Sequence, residues 1–312
     1  MKPIIAPIEK EILVEELTSD KFIRKSNNAS NEIFSINYHN SPNLMKEIGR
    51  LRELSFRQAS GGTGKEIDID KFDTSDEPYQ QLIVWDPVEK EILGGYRYLV
   101  CNQKMNAKTI KSKLATSGLF SFSNKFIDEF LPYTIELGRS FVQPKYQSRQ
   151  AGRKALFALD NLWDGLGALV VDYPQIKYFF GKVTMYPSYN RQARNIVLYF
   201  LNKYFPDNEN LVKAIQPLEL NFDNKLLDSI FIGKNYQENY KILGKEIRKY
   251  DENIPPLVNS YMNLSETMRV FGTSINKKFG EVEETGILIT ISDIYPQKKE
   301  RHIKTYIEGL AK

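Results

Sequence analysis

Residues 134–159 restrict the fold more than any other stretch, because the hydrophobic pattern changes its period part of the way along. The first part, residues 134–142, is rich in β-branched and apolar side chains, as in a buried strand. After Pro144 the apolar residues recur at helical spacing, which predicts a helix with one apolar face beginning near Gln150 or Ala151. The chain therefore passes from a strand through a short loop directly into a helix.

The loop and the start of this helix carry a cluster of basic side chains. The cluster consists of Lys145, Arg149, Arg153 and Lys154, and residues 143–159 contain no Asp or Glu. A helix N-terminus presents free N–H groups and a partial positive charge, so this segment is suited to binding a pyrophosphate or phosphodiester. The alternative is an ordinary helix start with solvated basic side chains, and the loop alone does not decide between the two.

The composition narrows the class of protein. A hydrophobic content of 41%, with 12% aromatic residues, is sufficient for the core of one large domain or two small ones. Cys101 is the only cysteine, so an intramolecular disulfide is impossible. The two histidines, His39 and His302, are far apart in the sequence, and we expect no metal site.

The charge balance and hydropathy argue against two further classes, nucleic-acid-binding proteins and membrane-spanning proteins. The net charge of +4 is too small to indicate a nucleic-acid-binding protein. No apolar run approaches the roughly 20 residues of a membrane-spanning helix. Glu9, Lys10 and Glu11 stand where a signal peptide would have its apolar core, so we expect a cytoplasmic protein.

The other elements predict a mixed α/β fold. In chain order they are a helix after Ser41, a hairpin over 81–101, the central strand and helix, a strand over 178–185, a helix through 196–201, and a final strand over 285–294. The strand, helix, strand, helix order in the middle predicts parallel neighbours joined by a crossover. We divide the chain into an N-terminal extension (1–40), a main domain (41–296) and a basic tail (297–312).

A glycine-rich stretch, residues 61–65, superficially resembles a nucleotide P-loop. It lacks the glycine five residues before Gly64 and the Ser or Thr after Lys65, because Ala59 and Glu66 occupy those positions. A mobile glycine-rich loop is the better interpretation. If it covers a ligand, the acidic residues of 67–73 form the rim.

Several motifs resemble the GNAT superfamily of N-acetyltransferases. Arg149-x-x-Gly152-x-Lys154 is similar to its pyrophosphate loop, Arg/Gln-x-x-Gly-x-Gly/Ala, with Lys154 replacing the small last residue. The chain more specifically resembles the ornithine lipid and glycine lipid N-acyltransferases, a branch also labelled hemolysin-like and distantly related to the homoserine-lactone autoinducer synthases. The matching phrases are residues 52–57, Asp68-x-Asp70-x-Phe72-Asp73, 82–86, 94–99, 136–142, and 254–257 with Tyr261.

The resemblance implies a fold and an activity. The fold is a mixed sheet flanked by helices, with a helical insertion and a C-terminal extension. The activity is transfer of a long acyl group, typically 3-hydroxyacyl, from the phosphopantetheine thioester of acyl carrier protein to the α-amino group of an amino acid. Acyl-coenzyme A is the alternative donor, and no cofactor is bound permanently. A lipid product also leaves room for peripheral contact with a membrane.

The same resemblance assigns binding residues. The donor would contact Lys145, Arg149, Gly152, Arg153 and Lys154. The substrate would contact four residues of the matching phrases, namely Arg57, Asp70, Asp73 and Arg97.

The chemistry itself requires a base, because an amine attacks a thioester only when it is unprotonated. Glu136, in the central strand, is the candidate base, and burial would move its pKa toward neutrality. Arg139, three residues on, is a further candidate catalytic residue. The alternative is that Glu136 is the structural ion-pair partner of Arg139 or Arg97. Tyr189 is the candidate proton donor to the leaving thiolate, and Tyr199 is a second candidate.

Residues near the C-terminal end bear on the identity of the accepting amine. Asn259 and Asn263 stand where the ornithine-type pattern has a Lys and an Arg, and Glu283 or Glu284 replaces an Asp expected near the last strand. We place glycine first as the acceptor and ornithine second. Two other functions stay open. One is a coenzyme-A-dependent acetyltransferase acting on a small amine, and the other is a non-enzymatic basic binding module.

Overall fold

The computed structural model describes residues 1–147, 153–220 and 224–311, and its strands form one large and one small sheet. The strands are β1 Phe22–Lys25, β2 Glu32–Ile36, β3 Gln80–Asp86, β4 Glu91–Val100, β5 Phe120–Phe122, β6 Thr134–Val142, β7 Tyr178–Met185, β8 Val212–Ala214, β9 Arg269–Asn276 and β10 Val282–Thr290. The large sheet has the order β1-β2-β3-β4-β6-β7-β10-β9, and β5 pairs with β8 separately. In the large sheet β6 and β7 are parallel, whereas the other neighbours are antiparallel.

Helices cover both faces of the large sheet. They are α1 Lys10–Glu15, α2 Pro42–Gln58, α3 Lys71–Thr74, α4 Ile110–Lys113, α5 Arg153–Asp172, α6 Arg191–Tyr204, α7 Asn224–Ile230, α8 Tyr236–Arg248, α9 Pro256–Met262, α10 Pro296–Lys299 and α11 Thr305–Leu310. The predicted mixed sheet flanked by helices is confirmed, including the β3–β4 hairpin and the β6–α5–β7 crossover. No helix in the described ranges is long and apolar enough to cross a membrane.

The two faces have separate apolar cores because side chains alternate along each strand. On one face Phe179 and Val183 of β7 pack with residues of α5 and α6. On the other face α2 packs over β2 and β3, while Phe180 packs into a cluster formed largely by residues 101–131. That segment is the predicted insertion between β4 and β6, and it forms α4, β5 and short helical turns.

A β-bulge interrupts the central strand. Gly95 of β4 pairs with Phe141 and Arg97 pairs with Gly138, so two residues of β6, Arg139 and Ser140, lie opposite a single residue of β4. Arg139 has a φ of +50°, a region that side chains other than glycine rarely adopt. The bulge turns the side chains after it toward the opposite face of the sheet.

A cleft opens in the sheet beside this bulge, between residues 137–142 of β6 and residues 181–185 of β7. Pairing between the two strands ends at Glu136 and Phe180, although both strands continue beyond these residues. A Cβ atom on Gly181 would lie 2.7 Å from the Leu137 carbonyl oxygen, so the strands still touch there. One residue further, a Cβ atom on Gly138 would have no described atom within 4 Å. The face of the sheet is therefore uncovered at Gly138, and the separation of β6 from β7 follows from the end of their pairing at Glu136 and Phe180.

Both ends of the chain pack against the main domain. The N-terminal extension supplies β1 and β2, which form one edge of the large sheet. At the other end α10, a π-helical turn and α11 follow one another over residues 296–310. His302 is buried in this stretch, and its Nδ1 lies 2.7 Å from Oδ1 of Asp164 in α5. The domain boundaries at 40 and 296 stay a prediction.

Candidate active site

A band of charged side chains crosses the α2 side of the sheet, between the two apolar clusters of that face. This charged band comprises Arg52, Asp68, Asp70, Asp73, Arg97, Glu136, Arg139, Lys182 and Glu284. Most of its members are buried. A buried charge is tolerated only when it is paired and hydrogen-bonded, so the contacts within the band define the site.

Arg97 lies at the centre of the band. Its Nη1 is 2.8 Å from both carboxylate oxygens of Asp70 and 3.3 Å from Oδ2 of Asp73. Arg52 of α2 approaches the other oxygen of Asp73, with Nη1 3.3 Å from Oδ1. Burial raises the pKa of Asp70, but the charges of Arg97 and Arg139 outweigh it and hold that pKa below its usual value.

The local sequence explains how two carboxylates reach one guanidinium. Asp70 is the N-cap of α3 and accepts a hydrogen bond from the Phe72 N–H at 2.9 Å. Asp73 accepts one in return from the Asp70 N–H at 3.0 Å. This reciprocal capping box places both side chains on one turn. The structure thus brings together three of the four residues predicted to bind substrate.

Glu136 is buried and accepts hydrogen bonds from three donors. Its Oε1 accepts from the Thr116 N–H at 2.9 Å, and its Oε2 accepts from the Ala115 N–H at 3.2 Å and from the Tyr79 hydroxyl. The described contacts include no ion pair with Arg139 or Arg97. Burial, followed by the charge of Glu136, raises the pKa of Tyr79 well above its usual value, so Tyr79 is a hydrogen-bond donor. A carboxylate offers about four acceptor positions, which leaves one at Oε1.

Arg139 contacts Asp68 instead of Glu136. Its Nε lies 2.7 Å from Oδ2 of Asp68, and its guanidinium lies 4.3 Å from the ring centroid of Phe279. Asp68 is fully buried, whereas 13% of the Arg139 side chain is exposed. Arg139 therefore lies at the bulge, where the cleft meets the charged band.

Sequence reasoning missed Lys182 and left Glu284 as one of two alternatives. Lys182 of β7 forms an ion pair with Glu284 of β10, which is buried. Glu283 pairs with Arg194 of α6 instead. The available signal was a single lysine within the apolar run 178–185, since an unpaired lysine is rarely buried in a strand.

Arg57, the fourth predicted substrate residue, supports the glycine-rich stretch. Its Nε lies 2.7 Å from Oε1 of Glu53, and its Nη1 donates to the Lys2 carbonyl at 2.6 Å. Glu53 in turn accepts hydrogen bonds from the N–H groups of Thr63 and Gly64 at 3.0 and 2.7 Å. These contacts attach the stretch to α2, outside the charged band.

The two tyrosines predicted as proton donors are engaged elsewhere. The Tyr189 hydroxyl donates to the Asn253 carbonyl at 2.8 Å, and the Tyr199 hydroxyl bonds to Asp228 of α7. Neither hydroxyl contacts Glu136 in the part of the chain that the structure describes. Burial raises the pKa of both side chains.

The predicted donor-binding cluster is only partly described. Lys145 is 56% exposed, and its Nζ lies 2.7 Å from Oε1 of Glu91. Arg149 and Gly152 lie outside the described residues. Arg153 and Lys154 belong to the first described turn of α5, but their side chains lie outside the description as well. Their role stays a prediction.

Comparisons with known proteins find relatives over nearly the whole chain. A family model described as an acetyltransferase (GNAT) domain matches residues 51–156. The chain is 57% identical over 308 residues to a glycine N(alpha)-acyltransferase of Phocaeicola vulgatus, covering 99% of this chain and 94% of that protein. It is also 57% identical over 309 residues to a glycine N(alpha)-acyltransferase of Bacteroides thetaiotaomicron, covering 99% and 92%. Among solved structures, a CoA-dependent acyl-homoserine lactone synthase, BjaI, matches 90% of each chain with a TM-score of 0.41 at 10% identity.

Proposed function

This chain belongs to the family of the glycine N(alpha)-acyltransferases, and we propose that it transfers a long-chain, typically 3-hydroxyacyl, group from acyl carrier protein to the α-amino group of glycine. Membership makes the chain an N-acyltransferase. The carrier-protein donor, the glycine acceptor and an aminolipid product belong to the proposal. The observation that carries it is the cleft beside the charged band, where β6 and β7 are no longer paired beyond Glu136 and Phe180.

The proposed reaction uses the cleft for the donor and the charged band for the acceptor. Because β6 is no longer in register with β7 beyond Glu136, the strand can offer backbone groups to a phosphopantetheine arm. Glu136 would accept the amine proton, directly or through a water, at the acceptor position left on Oε1. The neutral amine then attacks the thioester carbon and the carbon–sulfur bond breaks. The proton that the nitrogen loses on becoming an amide goes to the sulfur, which leaves as a thiol.

Asn259 and Asn263 give no support for glycine as the acceptor. Asn263 Nδ2 lies 3.0 Å from the Tyr240 hydroxyl, which also bonds to Asn259. These contacts join α9 to α8, and no described contact links either asparagine to the charged band. The support for glycine is the activity named for the two relatives, and ornithine remains the second candidate.

One experiment tests the proposal against its alternatives. The purified protein is incubated with an equimolar mixture of amino acids and one of three donors: 3-hydroxypalmitoyl carrier protein, 3-hydroxypalmitoyl-coenzyme A or acetyl-coenzyme A. Thiol release is measured, and the product is identified by mass. We expect N-acylglycine from the carrier-protein donor.

Each other outcome has a distinct meaning. A predominant ornithine or lysine conjugate contradicts glycine but leaves the N-acyltransferase class intact. Transfer from acetyl-coenzyme A alone favours a small-amine acetyltransferase. The absence of transfer from every donor favours the basic binding module.

Reversing the charge of the basic cluster should weaken donor binding. We expect Arg149→Glu with Arg153→Glu to raise the donor KM by roughly tenfold, because attraction to phosphate and to an acidic carrier protein becomes repulsion. The difference in donor KM between the wild type and the variant should shrink as salt screens the charges. The control is Lys108→Glu with Lys111→Glu, which changes the net charge equally at exposed residues near α4. An unchanged donor KM, or an equal rise in the control, contradicts this donor site.

A further inference from the structure

Lys182 lies on β7 at the edge of the cleft. Two residues earlier, Phe180 is in register with Glu136 of β6, and register ends there. Alternation along β7 turns Lys182 to the same face as Phe180, while Phe179 and Val183 pack under α5 and α6. The lysine ammonium therefore shares the cleft edge and the sheet face of the charged band.

The ion pair with Glu284 leaves part of the ammonium available. An ammonium carries three N–H donors, and within the described ranges Glu284 is the only ion-pair partner of Lys182. The Lys182 side chain is 13% exposed, so a small ligand can reach it, whereas that of Glu284 is 0% exposed. Thr184 Oγ1 and Asn276 Nδ2, each 3.2 Å from a carboxylate oxygen, hold Glu284 in place.

The electrostatic surroundings favour a further anion at this point. Burial lowers the pKa of Lys182, Glu284 opposes that shift, and Arg139 and Arg97 lower the pKa again by repelling the ammonium. Arg139 stands on the opposite side of the cleft, at the bulge of β6. A carboxylate between Arg139 and Lys182 would relieve the repulsion between the two cations.

We propose that Lys182 binds the carboxylate of the acceptor amino acid, and that Glu284 is a positioning residue that holds the lysine ammonium at the cleft. This inference rests on the proposed function. In glycine one carbon separates the carboxylate from the amine, so a carboxylate held at Lys182 keeps the amine in the cleft between β6 and β7. The charged contact would thereby select α-amino acids over simple amines.

The test compares two acceptors that differ only in this charge, glycine and glycinamide. The variant is Lys182→Met with Glu284→Gln, which removes the lysine without leaving a buried carboxylate unpaired. We expect the ratio of kcat/KM for glycine to that for glycinamide to fall about 10- to 100-fold, the range for loss of a charged hydrogen bond. The loss should lie mainly in the KM for glycine, while glycinamide is acylated at close to the wild-type rate.

The controls separate this role from a structural one. Lys177→Met removes an exposed lysine just before β7 and should keep the wild-type ratio of kcat/KM for glycine to that for glycinamide. If the first variant does not fold, Lys182→Gln with Glu284→Gln, which retains a hydrogen bond between the two side chains, provides the same readout.

Two outcomes overturn the inference. One is a folded variant with the wild-type ratio, and the other is an equal loss of rate with both acceptors, which would place Lys182 at the thioester instead. A wild-type protein that does not acylate glycine contradicts the proposed function itself, and this is a different result from either.

Discussion

Glu136→Gln is expected to retain the fold and to lower kcat by about 10² to 10⁴-fold, the usual contribution of a general base. The substitution preserves the shape of the side chain and removes its capacity to accept a proton. Because the amine must be neutral to attack, the lost step limits turnover and not the binding of either substrate. The KM values for donor and acceptor should therefore change little.

The hydrogen bonds around Glu136 explain why the glutamine variant should fold. The glutamine carbonyl can accept from the Thr116 N–H as Oε1 does now. The new NH₂ group would face the Tyr79 hydroxyl, which can act as acceptor because its own proton can go to the Lys113 carbonyl oxygen at 3.0 Å. The Ala115 N–H, 2.9 Å from the Tyr79 oxygen, keeps a partner as well. The three groups that now donate to Glu136 therefore each keep an acceptor.

Single-turnover kinetics with the purified variant, together with circular dichroism, measure this effect. The matched control is Glu283→Gln on β10, whose carboxylate faces Arg194 on the α6 side of the sheet, and it should stay close to the wild-type rate. A folded Glu136→Gln protein with a near-wild-type kcat would make Glu136 a structural acceptor for Tyr79, Ala115 and Thr116.

Arg97→Met is expected to lower the free energy of unfolding by about 3–5 kcal/mol, the usual effect of breaking a buried ion pair on one side. The Arg97 side chain is 3% exposed and contacts the carboxylates of both Asp70 and Asp73. Methionine fills a similar volume but leaves Asp70 without its principal cation and Asp73 with Arg52 alone. Because the pKa of Asp70 is held low in the folded protein, the destabilisation should be present at neutral pH and diminish as the carboxylates become protonated in acid.

Denaturant unfolding at neutral pH measures this loss. Lys113→Met is the control, because its ion pair with Glu77 is exposed, at 36% and 79%, and its loss should change the free energy of unfolding very little. If Arg97→Met is nearly as stable as the wild type but has a much higher acceptor KM, Arg97 binds substrate, as the sequence predicted, and is not the structural centre of the band.

The elements that could be predicted from the sequence are those set by local periodicity. The change from strand to helix within residues 134–159 identified β6 and α5, and turn chemistry identified the β3–β4 hairpin. The phrase Asp68-x-Asp70-x-Phe72-Asp73 contained both residues of the capping box, although the capping box itself was not predicted. Each of these depends on residues close together in the chain.

The site depends on contacts that local patterns do not contain. The donors to Glu136 come from Tyr79 and from Ala115 and Thr116, which lie in the insertion between β4 and β6 and about 20 residues before Glu136 in the chain. The alternative reading paired Arg139 with Glu136, but at the bulge Arg139 contacts Asp68 instead.

By itself the sequence determined the kind of elements, their order and the family, because periodicity, turn residues and short motifs act over a few residues. Only the tertiary structure decided which charged side chains contact one another. Lys182 and Glu284 are about a hundred residues apart, and their contact depends on the register that sets Glu284 opposite Thr184. A shift of one residue in that register would turn Glu284 to the other face and Glu283 toward Lys182, since side chains alternate along a strand. Register is set by the packing of the whole sheet, and for that reason the acceptor side of the site emerged only from the fold.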